Sequence, residues 1–149
     1  MEPLGSSEPK GEFMSEIENV AAARELYARI EREEWTGVAG LLHPAFIFYP
    51  NLGEARPGSD GFVASEKKNF DACPGFQIQV LETVAQENRV GVYLTIEGTA
   101  QEELLGVKAP CAHFKFSLFN LLTFEDGLIV EKRAHFDRNF IIRQLEENK

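Results

Sequence analysis

The 149-residue chain has the length of one ordinary domain, able to bury roughly 68–70% of its unfolded surface in a single core. With 44% hydrophobic and 26% charged residues it is neither collagen-like, disordered nor a disulfide scaffold. Its 24 Asp and Glu against 15 Lys and Arg give a net charge of −9, which repels phosphate backbones and anionic headgroups and so argues against nucleic acid as a partner.

Residues 1–14, rich in Gly, Ser, Pro and Glu, read as a flexible leader ahead of one domain over 15–149. Ser15 and Glu18 have capping-box spacing, and Ile17, Val20, Ala23, Tyr27 and Ile30 then recur at helical steps, predicting a first helix from Ser15 to about residue 33. A short second helix carries Trp35, Val38, Leu41 and Leu42, and His43-Pro44 turns the chain into a strand over Phe46–Tyr49. After a loop from Asn51 to Gly58, Ser59 is placed to cap a third helix bearing Phe62, Val63 and Phe70. The period then becomes two, with strands near 76–85, 89–100, 109–124 and 128–138. Glu125-Asp-Gly127 suits a three-residue hairpin with Gly127 left-handed, and Phe140, Ile141 and Leu145 close the chain as a tail helix or a strand extension.

Helices followed by a bent antiparallel meander make an α+β fold, a strongly curved antiparallel sheet covered by three N-terminal helices. No apolar run approaches the roughly 18 residues of a membrane helix and no secretory signal opens the chain, so the expected address is cytoplasmic with no membrane partner. Cys73 and Cys111 lack CxxC spacing and read as reduced, mostly buried thiols. His43, His113 and His135 lack metal-ligand spacing, so neither a metal nor another cofactor is expected.

The order and spacing of these pieces resembles the nuclear-transport-factor-like cone fold and, within it, the SnoaL-like polyketide cyclases. The matching stretches are Leu41-Leu-His-Pro-Ala-Phe46, Tyr93-Leu-Thr-Ile-Glu-Gly98, Glu125-Asp-Gly-Leu-Ile129, and Lys132-Arg-Ala-His-Phe-Asp137 with the Arg143-Gln-Leu145 tail. The resemblance implies a pocket between sheet and helices, and relatives that pair through the outer sheet face. It also exposes departures. Ala134 stands where cyclases and limonene epoxide hydrolases carry an acid, and Ala112 where ketosteroid isomerases carry an oxyanion-stabilising aspartic acid. Tyr49 stands at the isomerase general base, and Ile96 and Gly98 at the hydrolase Arg and Asp pair.

Strand parity then selects candidates. With a three-residue hairpin Phe124 pairs with Leu128, and Ala112, Phe114, Phe116, Leu118, Asn120, Ala134 and Phe136 face inward. A two-residue turn or a bulge would flip the face and bring in His135 and Asp137. His135 oriented by Asp137 suits general acid-base work, the alternative being a strand histidine beside a tail-capping aspartate. Asn120 and Tyr49 would hold an oxyanion, with Tyr27 contacting the ligand from the first helix. Two functions remain open: a cofactor-independent cyclase, isomerase or dehydratase acting on a hydrophobic oxygenated small molecule such as a polyketide or terpenoid, or a non-catalytic member of the same fold that binds a lipophilic ligand or serves as a dimeric interaction module. Outward Phe119 and Leu121 suit a homodimer interface.

Overall fold

The computed structural model describes residues 3–149, with side chains from Ser15 onward. In chain order the elements are α1 (Pro3–Glu31), α2 (Trp35–Ala39), β1 (Leu42–Pro50), β2 (Arg56–Pro57), α3 (Ser59–Ala72), β3 (Gln77–Gln86), β4 (Arg89–Thr99), β5 (Glu103–Leu104), β6 (Val107–Lys108), β7 (His113–Glu125), β8 (Leu128–Phe136) and α4 (Arg138–Asn148). The chain is α+β, as expected. The backbone runs helical from Pro3 through Ser15, so Ser15–Glu18 lies inside α1 and caps nothing. The side chains of the expected leader lie outside the described residues. Ser59 is likewise the first helical residue of α3 with Gly58 before it, and makes no cap bond.

Six strands form one sheet in the order β2-β1-β8-β7-β4-β3, with β5 and β6 a separate small hairpin. The sheet is mixed rather than wholly antiparallel: β1 runs parallel to β8, pairing Phe48 with Lys132 and Pro50 with Ala134. This pairing joins segments far apart in sequence, which strand periodicity cannot reveal. Asn51 ties the junction, its amide donating to Ala134 O at 2.6 Å and its Oδ1 accepting from Phe136 N at 3.0 Å. Register shifts at Val80/Glu82 and Thr123/Phe124 mark bulges that tighten twist and bend the sheet.

The core lies between the concave sheet face and the helices. From α1 it takes Ala23, Leu26, Tyr27 and Ile30, from α3 Phe62 and Phe70, and from α4 Ile141 and Leu145. Ile17, expected on the apolar stripe of α1, is instead 48% exposed, because the buried face runs through Ala23, Leu26, Tyr27 and Ile30 and Ile17 lies well round the helix from it. Cys73 is buried, and burial pushes its thiol up to about 11. Cys111 is exposed in a turn at φ 65°, not buried as expected.

Candidate active site

The face that each residue of β7 and β8 presents follows from two local irregularities. Asp126 and Gly127, at φ 54° and 78°, make a two-residue turn in which Glu125 pairs with Leu128. A bulge at Val130 then lets Thr123 pair with Glu131. Each would flip the face alone; together they cancel. Asn120 pairs with Ala134 and Leu118 with Phe136, a ladder displaced by two residues from the expected one but with its parity intact. Even-numbered residues of β7, and of β8 beyond the bulge, therefore face the helices.

Between sheet and helices lies a cavity of about 260 Å³, larger than the roughly 150 Å³ of an apolar cavity that takes up benzene. Its wall carries a row of rings, Phe76, Phe114, Phe116 and Phe136, with successive centroids 6.3, 6.2 and 6.0 Å apart. Leu104 and Leu105 of the β5–β6 hairpin, with Arg56 and Arg138, also line it. Such a surface holds apolar guests by area and leaves orientation to a few polar groups.

Polar groups converge here from four elements, β8, β7, α3 and α1. Lys132 projects inward from β8 and is only 3% exposed. Its Nζ donates to Asn120 Oδ1 on β7 at 2.6 Å and sits 5.3 Å from the ring centroid of Phe48 and 5.7 Å from those of Tyr27 and Phe62. It makes no ion pair among the described residues. Burial outweighs the attraction of Glu66 and pushes the Lys132 amine down to about 8. Glu66, on α3, lines the same cavity and accepts from Asn69 Nδ2 at 3.2 Å. Burial raises its carboxyl against the opposing pull of Lys132 and Asn69. The Tyr27 hydroxyl is raised well above its usual range by burial and then by the Glu66 charge. The Tyr27 hydroxyl and Asn120 Nδ2 are buried and have no hydrogen-bond partner among the described residues. An unpartnered buried donor costs about 1–3 kcal/mol, so the Tyr27 hydroxyl at the cavity wall is a position where a ligand oxygen would be stabilised.

Several residues anticipated from sequence stand at this wall: Tyr27, Phe114, Phe116, Leu118, Ala134 and Phe136. Ala112 is buried but away from the cavity lining, and Asn120, fully buried, stands behind Lys132 rather than on the surface. Three expected catalytic residues are displaced. His135 is exposed on the outer face opposite Phe119, because the two register shifts compensate. Asp137 caps α4, its Oδ1 accepting from Phe140 N at 3.0 Å. Tyr49 also points outward, with the Arg133 guanidinium 4.0 Å above its ring. His43 lies within β1, in the irregular stretch between Leu42 and Ile47, its Nδ1 accepting from Ala45 N. With Glu125 and Asp126 it forms a surface group whose ligand-type atoms lie within 4.8 Å of one another.

A family model of the SnoaL-like polyketide cyclases matches residues 21–145. The chain belongs to that family. No curated protein matches it at a significant level. In three dimensions this SnoaL-like chain superposes on AclR of Streptomyces galilaeus, a hydroxylase candidate, with a TM-score of 0.79 at 24% identity over 89% of this chain and 98% of that one. A SnoaL-like polyketide cyclase candidate from Jannaschia sp. CCS1 gives 0.81 at 20% identity over 87% and 92%. An epoxide hydrolase of the limonene type from M. tuberculosis gives 0.69 at 17% identity over 89% and 92%. At these identities the likeness is one of fold. Among the described residues no helix is long and apolar enough to cross a membrane.

The SnoaL-like chain thus keeps its polar groups at positions of β8 and α3 that otherwise carry apolar side chains. Lys132 shares the inward parity of Ala134 and Phe136, and Glu66 sits four residues from both Phe62 and Phe70 on the apolar face of α3. A charged residue repeating on an otherwise apolar face was the available signal in both cases.

Proposed function

We propose that this chain is a cofactor-independent enzyme that cyclises, isomerises or dehydrates a hydrophobic, oxygenated small molecule of the polyketide or terpenoid kind by proton transfer within the cavity. The observation that supports this most is Lys132, an amine at the wall of an otherwise apolar chamber, beside an unpartnered Tyr27 hydroxyl. Charge developing on a substrate oxygen would meet the Lys132 ammonium and the Tyr27 hydroxyl in a site of low dielectric, where such donors are worth most. Glu66, on the facing helix, is the proton carrier, since burial moves its carboxyl toward neutral pH where acid-base groups work best. Asn120 positions Lys132 and does not touch the substrate.

The test is α-proton exchange of 2-tetralone, a small bicyclic ketone, in D2O, followed by NMR. The full chain should accelerate exchange over buffer, and Lys132→Met or Glu66→Gln should each lower the rate by about 10²-fold or more. Exchange no faster than in buffer, or unchanged in both variants, overturns the assignment. The absence of the expected acids at Ala112 and Ala134 supports the second reading, a binder of lipophilic ligands without turnover. Saturable binding of 2-tetralone without exchange is its signature.

We also place a homodimer interface on the outer sheet face, where Tyr93 and Phe119 pair across β4 and β7 and are 42% and 48% exposed. Light scattering at micromolar concentration should give a dimer that Phe119→Lys dissociates; a monomer in the parent chain counts against it.

A further inference from the structure

Among the described residues Lys132 is the single buried lysine; Lys67, Lys68, Lys108, Lys115 and Lys149 are all exposed. Its neighbours differ from those of a structural ion pair. The hydrogen-bond acceptor on Nζ is a neutral amide, three aromatic ring centroids stand 5.3–5.7 Å away, and Glu66 on the same cavity attracts the amine without forming an ion pair among the described residues. A carboxylate in that place would hold the proton on nitrogen, whereas an amide oxygen accepts equally well from a neutral amine.

We propose that Lys132 Nζ is a covalent site for aldehydes and ketones, forming an imine with the carbonyl carbon of an apolar substrate seated in the cavity. This rests on the proposed function, in that the cavity must admit a carbonyl compound. Burial pushes the amine down to about 8, so about a tenth of it is neutral at pH 7 and nucleophilic. Lys132 lines the cavity, so attack comes from the wall onto a bound carbonyl.

The chemistry balances without any redox partner. The Nζ lone pair forms the N–C bond while the carbonyl π electrons move to oxygen, which takes a proton from Glu66. The added nitrogen returns a proton to the Glu66 carboxylate, giving a neutral carbinolamine. Glu66 then protonates the hydroxyl, water leaves, and the nitrogen lone pair closes the C=N bond. The net change is one neutral amine, one carbonyl and the Glu66 carboxylic acid to one protonated imine, one water and the Glu66 carboxylate. The faces of Tyr27, Phe48 and Phe62 stabilise the resulting cation as they do the ammonium. A protonated imine withdraws electrons from the adjacent carbon, so the α-proton becomes removable by the Glu66 carboxylate. That gives the acid-base reading a covalent route.

The test incubates the full chain with 3-phenylpropanal and sodium cyanoborohydride at pH 7, with peptide mapping by mass spectrometry. The expected result is a reduced secondary amine on Lys132, formed at least 10-fold faster than on any other lysine and outcompeted by 2-naphthol, a bicyclic competitor without a carbonyl. Labelling confined to other lysines overturns the proposal. If 2-tetralone exchange is accelerated and 2-naphthol binds while Lys132 stays unlabelled, the imine falls and the non-covalent reading stands. If 2-naphthol neither binds nor protects and no exchange occurs, both fall.

Discussion

Lys132 Nζ and Asn120 Oδ1, on neighbouring strands, lie 2.6 Å apart in a fully buried hydrogen bond. A neutral amide compensates a buried ammonium only in part, and the depressed Lys132 pKa of about 8 expresses the remainder. Between pH 8 and about 10.4 the unfolded chain holds a proton on this lysine that the folded chain has released. Stability contributed by Lys132 therefore rises with pH across that window and is lost as pH falls to about 8, with no further change below it. Relative to Lys132→Met, the parent chain should gain up to about 3 kcal/mol from pH 7.5 to pH 10.5. Urea denaturation of both chains at the two pH values measures this, and groups common to both, such as Cys73, cancel. A difference independent of pH would mean that the lysine keeps its proton on folding.

Replacing Asn120 by Asp sets an opposite charge against the amine. An adjacent carboxylate favours the ammonium by about 1–3 pH units. The rate of reductive trapping at pH 7 should drop by about 10-fold or more, and its pH profile should move upward by about one unit or more. An unshifted profile would show that Asn120 does not govern Lys132.

The outer-face pair separates structural from chemical roles. His135→Ala alters an exposed side chain and should change stability by less than about 0.5 kcal/mol, with 2-tetralone exchange untouched. Asp137→Ala removes the cap on Phe140 N and should cost about 1 kcal/mol, lowering Tm by about 3 °C, again with exchange intact. A hundredfold loss of exchange in either variant would return catalysis to this pair.

Ala134 is a small residue at the cavity wall beside the Phe116–Phe136 ring pair. Ala134→Leu projects a larger side chain into the void and should weaken 2-naphthol binding by at least about 10-fold while leaving the thermal midpoint within about 3 °C, since part of the added bulk fills empty space. Calorimetric titration and a melting curve check both halves. Undiminished affinity would place the binding site elsewhere.

Much of the architecture was legible because it rests on local rules. Period-two alternation located β3, β4, β7 and β8 to within a few residues, and the Phe-rich even positions of β7 announced the concave face. The parallel β1–β8 pair was not legible, since it depends on long-range closure of the cone. The hairpin is more instructive. The sequence suggested three loop residues, the chain uses two plus a bulge at Val130, and the inward set comes out the same. A bulge is a response to sheet twist and leaves no mark in residue types. The candidate site lacked two residues for a simpler reason: Lys132 and Glu66 are charged, and such side chains are seldom buried, whereas their positions on apolar faces place them inside. Once Lys132 occupies the wall, His135 and Asp137 necessarily fall outside, as alternation along β8 allows one set or the other.

The doubled irregularity near the β7–β8 turn has a bearing on how this scaffold diversifies. One residue inserted between Glu131 and Lys132, with the pairing before it kept, sends Lys132, Ala134 and Phe136 toward solvent and carries Arg133 and His135 indoors. A single codon would thereby exchange an amine-bearing interior for one furnished with guanidinium and imidazole, leaving every other side chain unaltered. Cousins of this chain that look alike letter by letter can in this way house unrelated chemistries.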